Sequence, residues 1–336
     1  MPVLSDYPVP NTFGFSVKAS RWVEFSSEDE LPDLLARFTE TELSRLWMVG
    51  LGSNLLFLGD YDGIILHSAI TGIRLDSAPG DEAIVRVGSG VVWDDFVAWA
   101  VARNLYGAEN LSLIPGETGA AAVQNIGAYG VEVSDLIVEV RGWDIAQRCF
   151  RTFPVAECGY GYRESVFKAA PLHNRFVVTE VTLRLWRSPR YRLDYGNLRS
   201  QLPASGFTLR DVRQAVINIR NSKLPDPALT GNAGSFFKNP VIPLTQFEAL
   251  QSRYPDIPHY PAGDGLVKVP AAWLIEQCGW KGQTLGGAGV WERQPLVLVN
   301  RGDALPSDIV TLSDRIIASI VGKFGITVSP EVNFVQ

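Results

Sequence analysis

The 336-residue chain has little of the chemistry that marks metal and disulfide proteins: three cysteines, three histidines and two methionines. Cys149, Cys158 and Cys278 are odd in number and form no C-x-x-C pair, and His67, His173 and His259 are scattered. This excludes a disulfide framework and a zinc site as organising principles, and the cysteines read as reduced, mostly buried thiols. There is no Lys/Arg run, and the net charge is -6. A nucleic-acid or anionic-membrane footprint is therefore not expected, and any phosphate must be met by local groups. Apolar runs stay well short of the roughly 20 residues that span a bilayer. The opening MPVLSDYPVPNTFGF lacks a charged segment followed by an apolar one, so a cytoplasmic protein is expected.

What is present is a composition that folds, 46% hydrophobic and 20% charged with nine tryptophans, on a chain longer than one core usually fills. No repeat or low-complexity segment appears, and three regions emerge. Up to about residue 70, a helical stretch after Ser26-Ser27 is followed by LWMVG, a glycine-rich turn and GIILH, which reads as strand, turn, strand. From 71 to 215, β-like runs (AIVRVGSGVVW, LIVEVRGWD, RFVVTEVTLRLW) alternate with one clear helix, WDDFVAWAVARN. From 216 onward Pro and Gly punctuate the chain around PAAWLIEQCGWKG. There Pro270 suits a first helical position, Gly279 with Lys281 suits a stop, and Trp273, Leu274 and Cys278 follow a core-facing helical spacing.

Five strings carry the chemistry. In the first, Gly50, Gly52, Ser53, Asn54 and Leu55 follow a strand-like run. Such a turn directs backbone N–H groups at an anion or is a plain glycine turn; its spacing is not G-x-G-x-x-G, so a dinucleotide-binding strand–turn–helix fails its context test. The second runs from Ile114, Pro115, Gly116, Glu117 and Thr118 through Gly119 and Ala120 to Gln124, Asn125, Gly127, Ala128 and Tyr129. Its small side chains fit close approach to a large flat cofactor bearing a pyrophosphate, with Gln124 and Asn125 offering amides to a ring edge; a tight Ala/Gly helix contact is the alternative.

The third string, ECGYGYRESVFK, sets Arg163 among aromatics, for a bidentate carboxylate contact or a structural ion pair. The fourth, NSKLPDP followed by GNAGSFFKNP, brackets Ser235 with Lys223 and Lys238, an electropositive setting in which a hydroxyl can donate a proton. It is not a G-x-S-x-G elbow, and so few histidines argue against a Ser-His-Asp hydrolase. The fifth is SPEVNF, with Glu331.

In this order, from the first glycine turn to the tail, the strings resemble the UDP-N-acetylenolpyruvoylglucosamine reductase family. The resemblance implies an α+β fold: an FAD-binding domain of the vanillyl-alcohol-oxidase type made of two α+β subdomains, and a C-terminal α+β substrate-binding domain. It places the first subdomain at 1–70 with the tail 326–336 packed back on it, the second at 71–215, and the substrate domain at 216–325. It implies noncovalent FAD along Gly50–Asn54 and Ile114–Gly130, NADPH as electron donor, and reduction of UDP-N-acetylenolpyruvoylglucosamine to UDP-N-acetylmuramate for peptidoglycan.

By motif match Ser235 is the proton donor, and Arg163 and Glu331 orient the carboxylate and stabilise or protonate the enolic intermediate. Tyr195, in LDYGNL, resembles the tyrosine that closes over the uridine diphosphate in the family's longer subclass; Lys223, Asn239, Arg220 and Gln294 are expected around phosphate or sugar. A monomer is implied, and activation by a monovalent cation, for which no spacing here supplies ligands. Ala122 stands where the family usually has proline, and Gly159 where it has a bulkier residue. Two alternatives fit the same scaffold: an oxygen-using flavin oxidase, which Ser235 argues against because an oxidase needs a base there, and a silent nucleotide-sugar-binding protein, which the joint presence of Ser235, Arg163 and Glu331 disfavours.

Overall fold

The computed structural model describes residues 3–76 and 79–336. The chain is α+β and forms two compact units. One comprises Met1–Pro8, Lys18–Leu51 and Tyr61–Arg220; the other comprises Val9–Val17, Gly52–Asp60 and Asn221–Gln336.

The first unit holds two larger sheets and a two-stranded antiparallel ribbon, Gly127–Ala128 with Val131–Glu132. Strands Val3–Pro8, Lys18–Phe25, Tyr61–Ser68 and Leu46–Met48 lie in that spatial order, the first pair antiparallel and the others parallel. The opening hairpin is absent from the sequence reading, because Val3–Pro8 has little apolar alternation to announce it. The helical expectation after Ser26-Ser27 is met by the short helix Glu30–Leu35, whose Leu31, Leu34 and Leu35 are buried against this sheet.

The second sheet is antiparallel throughout, in the order Cys149–Pro154, Ile137–Asp144, Phe176–Trp186, Glu82–Gly88, Ile73–Asp76. The run AIVRVGSGVVW is a strand only to Gly88, after which the chain turns into helix Trp93–Ala102. That helix buries Trp93, Phe96, Val97, Ala100 and Val101, a three-and-four spacing that makes one apolar stripe, and Asp94 and Asp95 favour the positive end of its dipole. Each such large side chain contributes about 1.5–3 kcal/mol by leaving water.

The second unit is built on the antiparallel order Asn232–Ser235, Val297–Asn300, Ala288–Val290, Thr284–Leu285. Its longest helix, Pro306–Phe324, begins with Pro in its first turn, ends at Gly325 with φ 65°, and buries Ile309, Leu312, Ile316, Ile320 and Phe324. Helix Ala271–Gln277 is where PAAWLIEQCGWKG places it, but Pro270 is the capping residue just before the helix. Leu56 and Phe13 join this unit's core, and strand Leu55–Phe57 pairs in parallel with the C-terminal strand Asn333–Val335. Of the cysteines, Cys158 is buried, Cys278 half-buried and Cys149 exposed.

Candidate active site

The sequence-predicted residues fall into both units. In the second, Ser235 ends strand Asn232–Ser235 and is exposed. Gly234 just before it has φ 68°, a conformation that favours glycine, and its amide donates to the Asn232 side-chain carbonyl at 2.9 Å. The Asn232 side-chain Nδ2 in turn donates to the Thr230 carbonyl at 2.9 Å, so the turn into Ser235 is closed from within. Beyond it, Phe236 and Phe237 are fully buried and fasten the next two residues.

The C-terminal tail is stitched onto that point. The Glu331 amide donates to the Phe236 carbonyl at 2.8 Å, the Lys238 amide to the Ser329 carbonyl at 2.9 Å, and Phe237 bridges Pro330. Ser235, far from Glu331 in sequence, thus stands one residue from the hydrogen bond that the Glu331 amide makes. Asn54 adds a second tie, its side-chain amide donating to the Glu331 carbonyl at 3.3 Å and its own carbonyl accepting from the Asn333 amide at 3.1 Å. Gly52, with φ 64°, has no room for a side chain, since a Cβ would lie 2.2 Å from the Pro10 carbonyl oxygen. Leu55 is buried, and Ser53 is half-buried in the turn between them.

The expected substrate residues of this unit have mixed settings. Lys223 is exposed, and its carbonyl accepts from Trp291 Nε1 at 3.0 Å. Gln294 lies in the turn whose carbonyl accepts from the Val297 amide, and Val297 pairs with Ser235. Asn239 Oδ1 accepts from the Ala271 amide at 2.9 Å, so this oxygen caps helix Ala271–Gln277.

In the first unit, Gly50 follows strand Leu46–Met48, and a Cβ there would lie 2.6 Å from Glu117 Oε2. Glu117 is buried and belongs to a cluster that sequence reasoning missed. His67 Nδ1 donates to the Val49 carbonyl at 3.0 Å, which turns Nε2 toward Glu117 Oε1 at 3.9 Å and Glu24 Oε2 at 3.8 Å. Burial first, and the neighbouring Glu24 second, push the Glu117 carboxyl up to about 8. The available signal was a lone carboxylate inside a stretch of small residues.

The small-residue string forms helix Thr118–Gln124. Its Thr118 and Gly119 amides donate to the carbonyls of Val91 and Ser89, each at 2.9 Å, and a Cβ on Gly119 would meet Ser89 Cβ at 2.8 Å. Tight packing thus explains Gly119 and the buried Ala121 and Ala122. Pro115 and Ala120 are exposed, Ile114 half-buried, and Gly116 has φ 125°. Packing does not explain Gln124, whose side-chain oxygen is buried with no hydrogen-bond partner.

Asn125, expected to offer its amide outward, is instead fully buried in the left-handed conformation. Its Nδ2 donates to Glu132 Oε2 at 2.9 Å and to the Gly161 carbonyl at 2.8 Å, and its Oδ1 accepts from the Ser134 amide at 3.2 Å. It holds the Arg163 turn. Arg163 itself has φ 59°, and its guanidinium donates to the carbonyls of Asn125 at 3.2 Å and Gly127 at 2.9 Å. Two of five donors are therefore set by backbone, which aims the planar group. Gly159 has φ 55° and Val166 Cγ1 where a Cβ would go, so this position requires glycine.

Ala128 lies in the short strand Gly127–Ala128, and Tyr129 follows it with φ 48°. Tyr195, 52% exposed, meets the Tyr129 ring edge-on at 6.4 Å between centroids. Arg213 forms a bidentate pair with Asp94 at 2.7 and 2.9 Å. Two turns further along helix Leu209–Lys223, which carries both arginines, Arg220 has a buried Nε with no partner, and burial draws its guanidinium below the ordinary value although Tyr129 and Asp94 oppose this. Among the described residues no cluster of His, Cys, Asp and Glu could hold a metal, and no helix is long and apolar enough to cross a membrane.

Residues 19–147 match the family described as FAD binding domain, and residues 226–335 match the C-terminal domain of UDP-N-acetylenolpyruvoylglucosamine reductase. The UDP-N-acetylenolpyruvoylglucosamine reductase of Bacteroides fragilis strain YCH46 is 52% identical over 326 residues, 97% of each chain. That of Porphyromonas gingivalis strain ATCC 33277 is 48% identical over 339 residues, all of both chains. The crystal structure of UDP-N-acetylenolpyruvylglucosamine reductase from Thermus caldophilus superposes with a TM-score of 0.66 at 21% identity, covering 97% of this chain and 96% of that one, a likeness of fold.

Proposed function

The chain belongs to the UDP-N-acetylenolpyruvoylglucosamine reductase family, an FAD-dependent oxidoreductase with its flavin-binding fold, and from that premise we propose that it reduces UDP-N-acetylenolpyruvoylglucosamine to UDP-N-acetylmuramate in peptidoglycan synthesis, with NADPH as electron donor. The observation that supports the reading is the hydrogen bond from the Glu331 backbone amide to the Phe236 carbonyl, which ties the backbone of the proposed catalytic Glu331 to the residue after the proposed proton donor.

The first unit's residues fit a bound flavin: the orphaned Gln124 oxygen is an acceptor for a ring N–H. Bound FAD supplies the hydride carrier between NADPH and the enolpyruvyl group. On this reading 1–70 with the tail 326–336 and 71–215 form the two flavin subdomains and 216–325 the substrate domain. The parallel pairing of Asn333–Val335 with Leu55–Phe57 brings the tail back to residues from the first 70 of the chain, within the second unit.

In the reaction the vinyl ether gains a hydride at its methylene carbon, and negative charge develops at the carbon bearing the carboxylate. Arg163, aimed by the Asn125 and Gly127 carbonyls, meets that carboxylate and steadies the charge. Ser235 delivers the proton to the charged carbon. A serine is a weak acid, so the transfer needs a cation nearby, and Lys223 in the same unit is the candidate. The exposure of Ser235 gives its oxygen a route to recover a proton from solvent. Glu331 orients the substrate carboxylate or shares the protonation, and Tyr195, Asn239, Arg220 and Gln294 bind the nucleotide sugar. A cytoplasmic monomer belongs to the same reading.

Ser235→Ala, followed by flavin absorbance in anaerobic stopped flow, tests it. NADPH-driven reduction is expected to stay fast while reoxidation by the enolpyruvyl nucleotide slows by about a hundredfold or more. Unchanged reoxidation would move the proton to Glu331 or water.

A further inference from the structure

A buried side chain of the first unit ties together two segments that carry proposed active-site tyrosines. Asn110, in the helical turn Glu109–Leu111, is 1% exposed. Its Nδ2 donates to the Tyr129 carbonyl at 2.8 Å and to the Arg192 carbonyl at 2.7 Å. A side-chain amide nitrogen has two hydrogens, so both are engaged, one on each segment. Arg192 stands three residues before Tyr195, and its Nη1 returns to the Gly130 carbonyl at 3.2 Å and to Asp135 Oδ2 at 2.8 Å. Gly130, with φ 78°, lies against the Tyr195 side chain, a Cβ there being 3.4 Å from Tyr195 Cβ.

Strand Phe176–Trp186 ends before this stretch, and the next regular element is the turn Arg199–Gln201. With no ladder to guide it, the chain between them takes its course from individual hydrogen bonds. The two at Asn110 start from a buried side chain, one of them reaching this stretch at Arg192 and the other Tyr129, so losing that side chain releases both segments at once.

We propose that Asn110 is a positioning residue for nucleotide-sugar binding, setting where Tyr195 stands when it meets the substrate diphosphate. The inference rests on the role proposed above for Tyr195. Asn110 touches no substrate; it acts by holding the Arg192 and Tyr129 backbones at a common point.

Three readouts on the FAD-loaded protein test it: KM and kcat for UDP-N-acetylenolpyruvoylglucosamine, flavin reduction by NADPH, and trypsin cleavage after Arg190, Arg192 and Arg199. Asn110→Ala is expected to raise KM about tenfold, leave kcat and flavin reduction within about twofold, and speed cleavage several-fold. In a Tyr195→Ala background the same change is expected to add less than about twofold to KM, because its effect passes through Tyr195. Arg192→Gln, at an exposed side chain, keeps the fold safe if Asn110→Ala does not express, and is expected to raise KM about threefold. Faster cleavage with unchanged KM overturns the inference, as does an equal KM rise with and without Tyr195. If Tyr195→Ala alone leaves KM unchanged, the role given to Tyr195 falls, and the trypsin rates still report whether Asn110 orders the segment.

Discussion

The side-chain amide of Asn54 donates to the backbone carbonyl of Glu331 across 277 positions of sequence, at 3.3 Å. A residue of the first glycine turn therefore holds the carboxylate residue that the C-terminal tail brings to Ser235. The bond is a neutral amide–carbonyl contact, worth about 1 kcal/mol when both groups are shielded.

Asn54→Ala is expected to slow reoxidation by the enolpyruvyl nucleotide about fivefold in FAD-saturated protein, with reduction by NADPH retained. Single-turnover stopped flow reads both halves separately. Equal slowing of the two would mean that Asn54 acts on the flavin and not through Glu331.

Gly52→Ala forces a side chain into φ 64° and against the Pro10 carbonyl oxygen. The conformation alone costs about 1–2 kcal/mol. Urea unfolding is expected to show a loss of more than about 2 kcal/mol, the rest coming from the displaced backbone. A smaller loss would mean that the Pro10 segment yields.

Glu117→Gln is expected to flatten part of the dependence of stability on pH. The unfolded carboxyl ionises near 4.5 while the folded one keeps its proton to about 8. The folded state binds the extra proton, so this stabilisation is full below the unfolded value, declines as pH rises between the two, and is gone above the folded one. Melting temperatures of the two proteins at about pH 5, 7 and 9 should therefore diverge in favour of the variant as pH rises. Parallel curves would show that Glu117 is ionised in the folded protein at neutral pH.

Arg220→Met removes a buried guanidinium whose Nε lacks a partner. Replacing a buried guanidinium that leaves one N–H without a hydrogen bond by an apolar side chain of similar length is expected to raise the melting temperature by a few degrees. If Arg220 waits for an anionic group of the substrate, KM rises in the same variant. A lower melting temperature would assign Arg220 to the structure alone.

Much of this was readable in the chain. Helix Trp93–Ala102 and strands Ile137–Asp144 and Phe176–Trp186 emerge where the apolar spacing places them, because that spacing is local and each element buries a face it carries itself. The long helix Pro306–Phe324, absent from the sequence reading, carries an equally clear pattern in Ile309, Leu312, Ile316 and Ile320 and in its Pro and Gly ends.

By itself the sequence determined the family, through long strings such as GNAGSFFKNP, and with it the residue types a reductase of this kind uses. Tertiary structure alone decided that Asn333–Val335 pairs with Leu55–Phe57, that Glu331 hangs from Phe236, that Asn125 faces inward to hold the Arg163 turn, and that Glu117 keeps its proton. The physical reason is range. Helix and strand preferences act over a few neighbouring residues, whereas strand pairing across the chain, and the burial that moves a carboxyl group's ionisation, depend on which distant segments exclude water from the same place.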